Sequence, residues 1–360
     1  MSESRRRREP GTLPRPLAFL AALGLIGGTG FWVSVLPPGA VPGPVPPPPT
    51  ASARPTPALA GRPSPAVEDA VRQGPAGFVA FADGVSGLRS RTRWYTIGHV
   101  IAGGDGCTGT WTGGLSASER PAKRPAGPSA GERPGGLSAG GRPAGLSAER
   151  LRRLRAGGAE AGPVFGGPRG RELAAACARP DRLVPAYRRV IGGLGASYAE
   201  FEVRDSADRA AVTRRAHAIR ALQRERRLRV SFSLPLEPYG LAARDAAMLR
   251  LTRQAGADVG TVNLLAAMEP SGPFGGGTHR IALALRAART QVAEAQAVPD
   301  TGEAWRRVAV TCVLTSPADL SEAEATTLAA FAGRHELAWL SLRGTPPQAP
   351  VARALRRTRG

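Results

Sequence analysis

The chain has 360 residues with 46 glycines and 34 prolines, which leaves room for one large α/β domain plus a segment that builds no core, or for two ordinary domains. Its formal net charge of +21 is carried almost wholly by arginine, with Lys123 the single lysine. These cations are spread along helical segments and tails rather than clustered among exposed aromatics, which argues against a nucleic-acid surface while leaving attraction to anionic lipid or cell-wall polymers.

Residues 1–16 form a basic tail, with Arg5, Arg6, Arg7 and Arg8 in a row. Residues 17–36 are uncharged and apolar, a run of about 20 residues that is long enough to cross a bilayer as a helix. Arginines before this run and none just after it predict a cytoplasmic N-terminus and an exported remainder. A cleaved signal peptide, giving a secreted protein, is the alternative, but no small-x-small site follows at the usual distance. Residues 37–76 are mostly Pro, Ala, Gly, Ser and Thr, including Pro46 to Pro49, and read as an extended spacer that buries nothing.

The folded domain is expected over residues 77–345. Residues 78–82 and 94–101 read as its first two strands. From 113 to 150 the composition turns to low complexity, with Gly-Leu-Ser-Ala recurring at 114, 136 and 145, which predicts a disordered loop insertion. Helix and strand then alternate: a helix at 151–156, a strand at 163–167, a helix at 172–190 and a strand at 198–203. A helix follows at 208–226, then a strand at 228–234, a helix at 241–255 and a strand at 258–268. The series closes with a helix at 280–297, a strand at 307–314, a helix at 321–334 carrying a Ser321/Glu324 capping box, and a strand at 337–342. Residues 346–360 are left as a basic tail.

Eight strands, most followed by a helix, argue for an α/β fold of the closed (β/α)8 TIM-barrel type, in which functional residues sit at the C-terminal ends of strands. A doubly wound open sheet would want a phosphate loop after its first strand, and Asp83-Gly84-Val85-Ser86-Gly87 does not supply one. The fourth strand then commands attention. Its period of two puts Glu200, Glu202 and Arg204 on one face, and Phe201, Val203 and Asp205 on the other. Alone, this stretch would pass for an exposed edge strand; as the fourth barrel strand it ends where a barrel places its chemistry.

Several segments, in order, resemble the bacterial chitinases of glycoside hydrolase family 18. Gly103-Gly104-Asp105-Gly106-Cys107-Thr108 with Trp111 is similar to the glycine-rich segment after the second strand. Phe165-Gly166-Gly167 is similar to the end of the third strand, with Val164 where a serine is expected. Glu172 to Cys177 resembles the helix that bears a second cysteine, and Val230 to Pro235 resembles the fifth strand. The resemblance implies a chitinase-like barrel and a disulfide between Cys107 and Cys177. With no CxxC pair and with His99, His217, His279 and His335 scattered, neither a metal nor a cofactor is expected.

The resemblance also implies that the catalytic strand is altered. The family pattern Asp-x-Asp-x-Glu becomes Glu200-Phe201-Glu202-Val203-Arg204, so Arg204 stands where the glutamic acid that protonates the leaving oxygen is expected. Arginine has no proton to release on demand. Glu202, beside it, is expected to be salt-bridged, and Asp205 to point away from the barrel. On the sixth strand Met268-Glu269-Pro270 lacks the tyrosine expected after the acidic residue; on the eighth, Arg343 replaces a tryptophan that would floor the sugar subsite. The expectation is therefore a membrane-anchored, extracytoplasmic pseudoenzyme without an intact catalytic set. Residual contact with an N-acetylated glycan or cell-wall polymer would involve Trp111, Tyr239, Glu269 and Arg343, unless Trp111 is a packing residue. The opposing expectation is an active glycosidase acting on β-1,4-linked N-acetylglucosamine polymers through a relocated acid.

Overall fold

The structure is a computed structural model, and it describes residues 74–83, 88, 92–112, 146–269 and 277–357. In chain order the elements are β1 (Gly77–Asp83), β2 (Trp94–Ala102), β3 (Gly109–Trp111), α1 (Ala148–Ala156), β4 (Glu160–Gly166), α2 (Leu173–Ala176), α3 (Pro180–Leu194), β5 (Tyr198–Glu202) and α4 (Arg209–Glu225). They continue with β6 (Arg229–Pro235), α5 (Ala243–Gln254), β7 (Thr261–Ala267), α6 (Gly277–Gln296), α7 (Thr301–Arg306), β8 (Val308–Leu314), α8 (Glu322–His335), β9 (Trp339–Gly344) and α9 (Ala349–Arg356). The sheet order β1-β9-β8-β7-β6-β5-β4-β2 is parallel throughout and closes through β1–β2 pairing, so eight strands form a (β/α)8 barrel. β3 folds back antiparallel on β2 as a short hairpin outside the barrel circuit.

Strand alternation divides the core in two. Outward residues such as Phe165, Phe201, Phe232, Leu264, Val310 and Leu340 pack beneath the helices, all buried. Register aligns Phe165, Phe201 and Phe232 on adjacent strands, with ring centroids 5.1 and 5.9 Å apart. Each such aromatic pair adds about 0.5–1.5 kcal/mol beyond area burial, enough to penalise a one-residue slip. Inward residues near the strand starts form a separate plug of Val79, Trp94, Tyr198, Ala309 and Trp339. With one end sealed by aromatics, inward side chains further along the same strands rise toward the opposite mouth.

Local signals set the helix ends. Asp208 accepts from Ala211 N at 3.0 Å and starts α4, and Ser321 with Glu324 forms the expected capping box of α8. The single helix expected over 172–190 is two helices. The chain leaves the helical path at Cys177, which is bonded to Cys107, and Pro180 keeps Arg179 extended before α3 begins. That disulfide closes a 70-residue separation, a restraint worth about 2–4 kcal/mol in the chain-entropy picture. The expected C-terminal basic tail contains α9, whose Val351 and Leu355 are buried against the barrel end and α8. The tail's cations hid an amphipathic turn pattern. The expected insertion resumes regular structure inside its limit, where Ser147 caps α1.

The expected basic tail, apolar span and most of the spacer, like residues 113–145 of the insertion, lie outside the described residues. Among the described residues no helix is long and apolar enough to cross a membrane.

Candidate functional site

The C-terminal ends of the strands open into a cleft of about 740 Å³ whose lining includes Phe78, Phe81, Asp83, His99, Arg169, Glu202, Arg204, Arg343 and Arg356. β5 delivers Tyr198, Glu200 and Glu202 inward because Ala199, Phe201 and Val203 are held in the helix-facing core. Glu200 and Glu202 are 1% and 3% exposed. A carboxylate this deep needs a cation or several donors, and β9 supplies the first. Arg343, 9% exposed, donates from Nη1 to Glu202 Oε2 at 2.6 Å and from Nη2 to Glu200 Oε1. One guanidinium therefore spans both carboxylates.

Glu202 has two further donors. His99 Nε2, from within β2, lies 3.0 Å from Oε2, and Arg204 donates to Oε1 from Nη2 at 2.9 Å and Nε at 3.3 Å. Burial alone would raise the Glu202 carboxyl. The His99 hydrogen bond, the Arg343 charge and the Arg204 hydrogen bond overcome it and bring the group down to about 2. Glu200 is held from below: Ser233 Oγ donates to it, and Asn263 Nδ2 donates to Ser233 Oγ at 2.9 Å. Thr311 Oγ1 in turn donates to Asn263 Oδ1 at 2.9 Å. This chain of inward polar side chains crosses β8, β7, β6 and β5.

Gly166 and Gly167 belong to the same construction. Both have positive φ, at 85° and 97°, and a Cβ would sit 2.4 Å from Glu202 O at Gly166 and 2.4 Å from the His99 ring at Gly167. Two adjacent glycines let the β4 end turn tightly enough for His99 to reach Glu202.

The sequence-derived site residues separate into two groups. Glu200, Glu202, Arg204 and Arg343 converge in one network. Asp205 faces the other way, where both its oxygens accept from Arg215 Nη2 at 2.6 Å. Trp111 corrects its candidacy as a glycan contact: β3 folds its ring into the hydrophobic core at 9% exposure, which matches the packing reading. Glu269 is also removed from the cleft, because β7 ends at Ala267 and the Glu269 side chain turns to solvent, 3.9 Å from Arg280. Tyr239 is 87% exposed at the tip of the Glu237–Gly240 turn and does not line the cleft. Pro270 lies outside the described residues. His99, Ser233, Asn263 and Thr311 were missed as site residues. The legible signal was polar residues at inward positions of strands whose helix-facing residues are apolar. Among the described residues no cluster of His, Cys, Asp and Glu could hold a metal ion. Cys312 is buried, its thiol pushed up to about 12 by burial, and is unsuited to nucleophilic work.

The depressed Glu202 value has a measurable sign. Above pH 4.5 the carboxylate is ionised in both folded and unfolded chains, and its contribution to stability is fully present. As pH falls from 4.5 toward about 2, the unfolded chain takes up the proton first and about 3 kcal/mol is lost. Urea unfolding from pH 6 to 2.5 should therefore show wild type losing stability relative to Glu202→Gln across that window. A constant difference between the two would contradict the assignment.

No family model matches the chain, and no curated protein matches it in sequence. Among solved structures, the chain is similar to active domain 2 of a chitinase from Pyrococcus furiosus, with 19% identity, a TM-score of 0.60, and 79% of this chain and 95% of that one covered. A GH18 chitinase from Pseudoalteromonas aurantia matches with a TM-score of 0.51 at 8% identity, covering 79% of this chain and 100% of that one. The spore cortex-lytic enzyme SleL of Bacillus megaterium matches with a TM-score of 0.51 at 9% identity, covering 79% of this chain and 73% of that one. At these identities the likeness concerns the fold. The chain is a (β/α)8 barrel with the architecture of the GH18 chitinases.

Proposed function

We propose that this protein is a membrane-anchored, extracytoplasmic chitinase-like domain that holds a glycan or cell-wall polymer without cutting it. The observation that carries the reading is Glu202, which receives hydrogen bonds from His99, Arg204 and Arg343 and is held at about 2. Glycoside hydrolysis needs a protonated acid beside the leaving oxygen. Among the described residues lining the cleft the carboxyl groups are Asp83 and Glu202, and each is paired with arginine, Asp83 with Arg169 at 2.5 Å. Arg204, at the end of the catalytic strand of a chitinase-like barrel, can neither donate the proton nor favour the positive charge that develops on the sugar ring. The opposing reading, a glycosidase with a relocated acid, lacks a free carboxyl in this lining.

Export and anchoring are supported by the apolar run at 17–36, by the arginines that precede it, and by the Cys107–Cys177 disulfide, a bond that persists in oxidising compartments. The chitinases that share the fold suggest an N-acetylated glycan as the kind of partner. The experiment is sedimentation of the purified protein with insoluble chitin and with peptidoglycan, followed by chromatography of the supernatant. Retention on at least one polymer with no soluble sugar released is expected. Failure to be retained on either would remove the glycan-holding role and leave an envelope scaffold. Retention in the membrane fraction after a carbonate wash tests the anchor, since a cleaved, secreted form would be lost.

A further inference from the structure

The two phenylalanine rings that line the pocket are each covered by a cation, Phe81 on the inward side of β1 and Phe78 on its helix-facing side. Arg343 Cζ lies 4.4 Å from the centroid of Phe81, and Arg356 Cζ lies 5.4 Å from that of Phe78. A neutral sugar gains much of its affinity by laying its C–H face on an exposed aromatic ring, and here those faces are occupied by guanidinium groups. Charge is what the cleft has to offer instead. Its lining carries Arg169, Arg204, Arg343 and Arg356 against Asp83 and Glu202, with Glu200 immediately beneath. Pairing Arg169 with Asp83, and Arg204 and Arg343 with the two glutamates, leaves Arg356 exposed and without an ion-pair partner among the described residues. Arg204 also projects into the cleft with its side chain 54% exposed, having committed Nε and Nη2 to Glu202 and none of its Nη1 hydrogens to any described residue.

Resting on the glycan-holding reading, we propose that this cleft selects acidic glycans, those carrying a carboxylate on a sugar or its substituent, over neutral N-acetylglucosamine polymers. A guanidinium presents parallel N–H groups that match a carboxylate in both spacing and plane, so Arg204 and Arg356 recognise the charge. The apolar wall that includes Leu342, Pro346 and Pro347 is left for the ring. No covalent step is involved.

The test is calorimetric titration of the full chain with three disaccharides of matched size. These are chitobiose, N-acetylglucosaminyl-N-acetylmuramic acid, whose carboxylate is on a lactyl ether, and glucuronyl-N-acetylglucosamine, whose carboxylate is on the ring. At low ionic strength at least one acidic disaccharide should bind tenfold or more tighter than chitobiose, and which one does identifies the source of the carboxylate. The preference should shrink severalfold in 0.5 M salt. Arg356→Gln and Arg204→Gln should each reduce it severalfold. Arg152→Gln, which removes the same charge from the outer helix α1, should not, so a response common to all three variants would assign the preference to overall charge and overturn the proposal. Equal affinity for all three disaccharides would also overturn it while leaving glycan holding intact. Binding of none would remove the glycan-holding reading itself.

Discussion

Arg343→Met should cost the protein about 3–5 kcal/mol of folding stability, because it leaves two buried carboxylates without the cation that spans them. Arg343 bonds Glu200 and Glu202 together, and these are 1% and 3% exposed, so their charge is met by protein donors rather than by water. Glu202 would keep His99 and Arg204, whereas Glu200 would keep only Ser233 and a long contact to Asn263 at 3.4 Å. The larger part of the loss therefore belongs to Glu200. Adding Glu200→Gln to Arg343→Met should recover more than half of it, a rescue that a mere packing role for the arginine would not produce. Urea unfolding of the two single variants and the double variant measures this directly. A loss below about 1 kcal/mol for Arg343→Met would mean that the bridge behaves like a surface ion pair.

The second large effect belongs to the opposite face of β5. Arg215, 1% exposed on α4, donates from Nε to Glu172 Oε2 at 3.0 Å and from Nη2 to both oxygens of Asp205 at 2.6 Å. Burial opposes its charge, but Glu172 and Asp205 outweigh that penalty and hold it protonated beyond its ordinary range. Glu172 is also the N-cap of α2, accepting from Ala174 N at 2.9 Å, and it accepts the Tyr187 hydroxyl. One guanidinium thus ties the start of α2, the body of α4 and the chain just beyond β5, which is where Arg204 leaves the strand. Arg215→Met is expected to cost about 3–5 kcal/mol, while Tyr187→Phe, which removes one hydrogen bond and no charge, should cost about 1 kcal/mol. Thermal unfolding distinguishes the two. Equal losses would show that ring packing rather than charge dominates this cluster.

Much of the barrel was legible because its strands are apolar on alternate residues and its helices begin at recognisable caps such as Asp208 and Ser321. What sequence obscured was local and had local causes. The disulfide and Pro180 broke one expected helix into two. Arginines at the C-terminus concealed the buried face of α9. At the site, strand parity put Glu200 and Glu202 on one face and Asp205 on the other, as the structure has them, and Arg343 lies at the cleft end of β9. Its bridging of both glutamates was not legible, since that depends on β9 and β5 facing each other across a closed barrel. His99 was hidden for a related reason: its approach to Glu202 requires Gly167, 68 positions later in the chain, to lack a side chain. Trp111 and Glu269 illustrate the reverse error: the resemblance implied a place at the cleft, whereas the hairpin strand folds Trp111 into the core and β7 ends before Glu269, which turns to solvent.

The account rests on Glu202 being held as a base that cannot serve as a proton donor. Its most direct test is prolonged incubation of the purified protein with a chromogenic chitooligosaccharide and with peptidoglycan fragments, read against the Glu202→Gln variant across pH 4 to 8. The expected result is no release above the buffer rate from either protein at any pH. Turnover proportional to wild-type protein and abolished by Glu202→Gln would contradict the account, because it would make Glu202 part of a working active site.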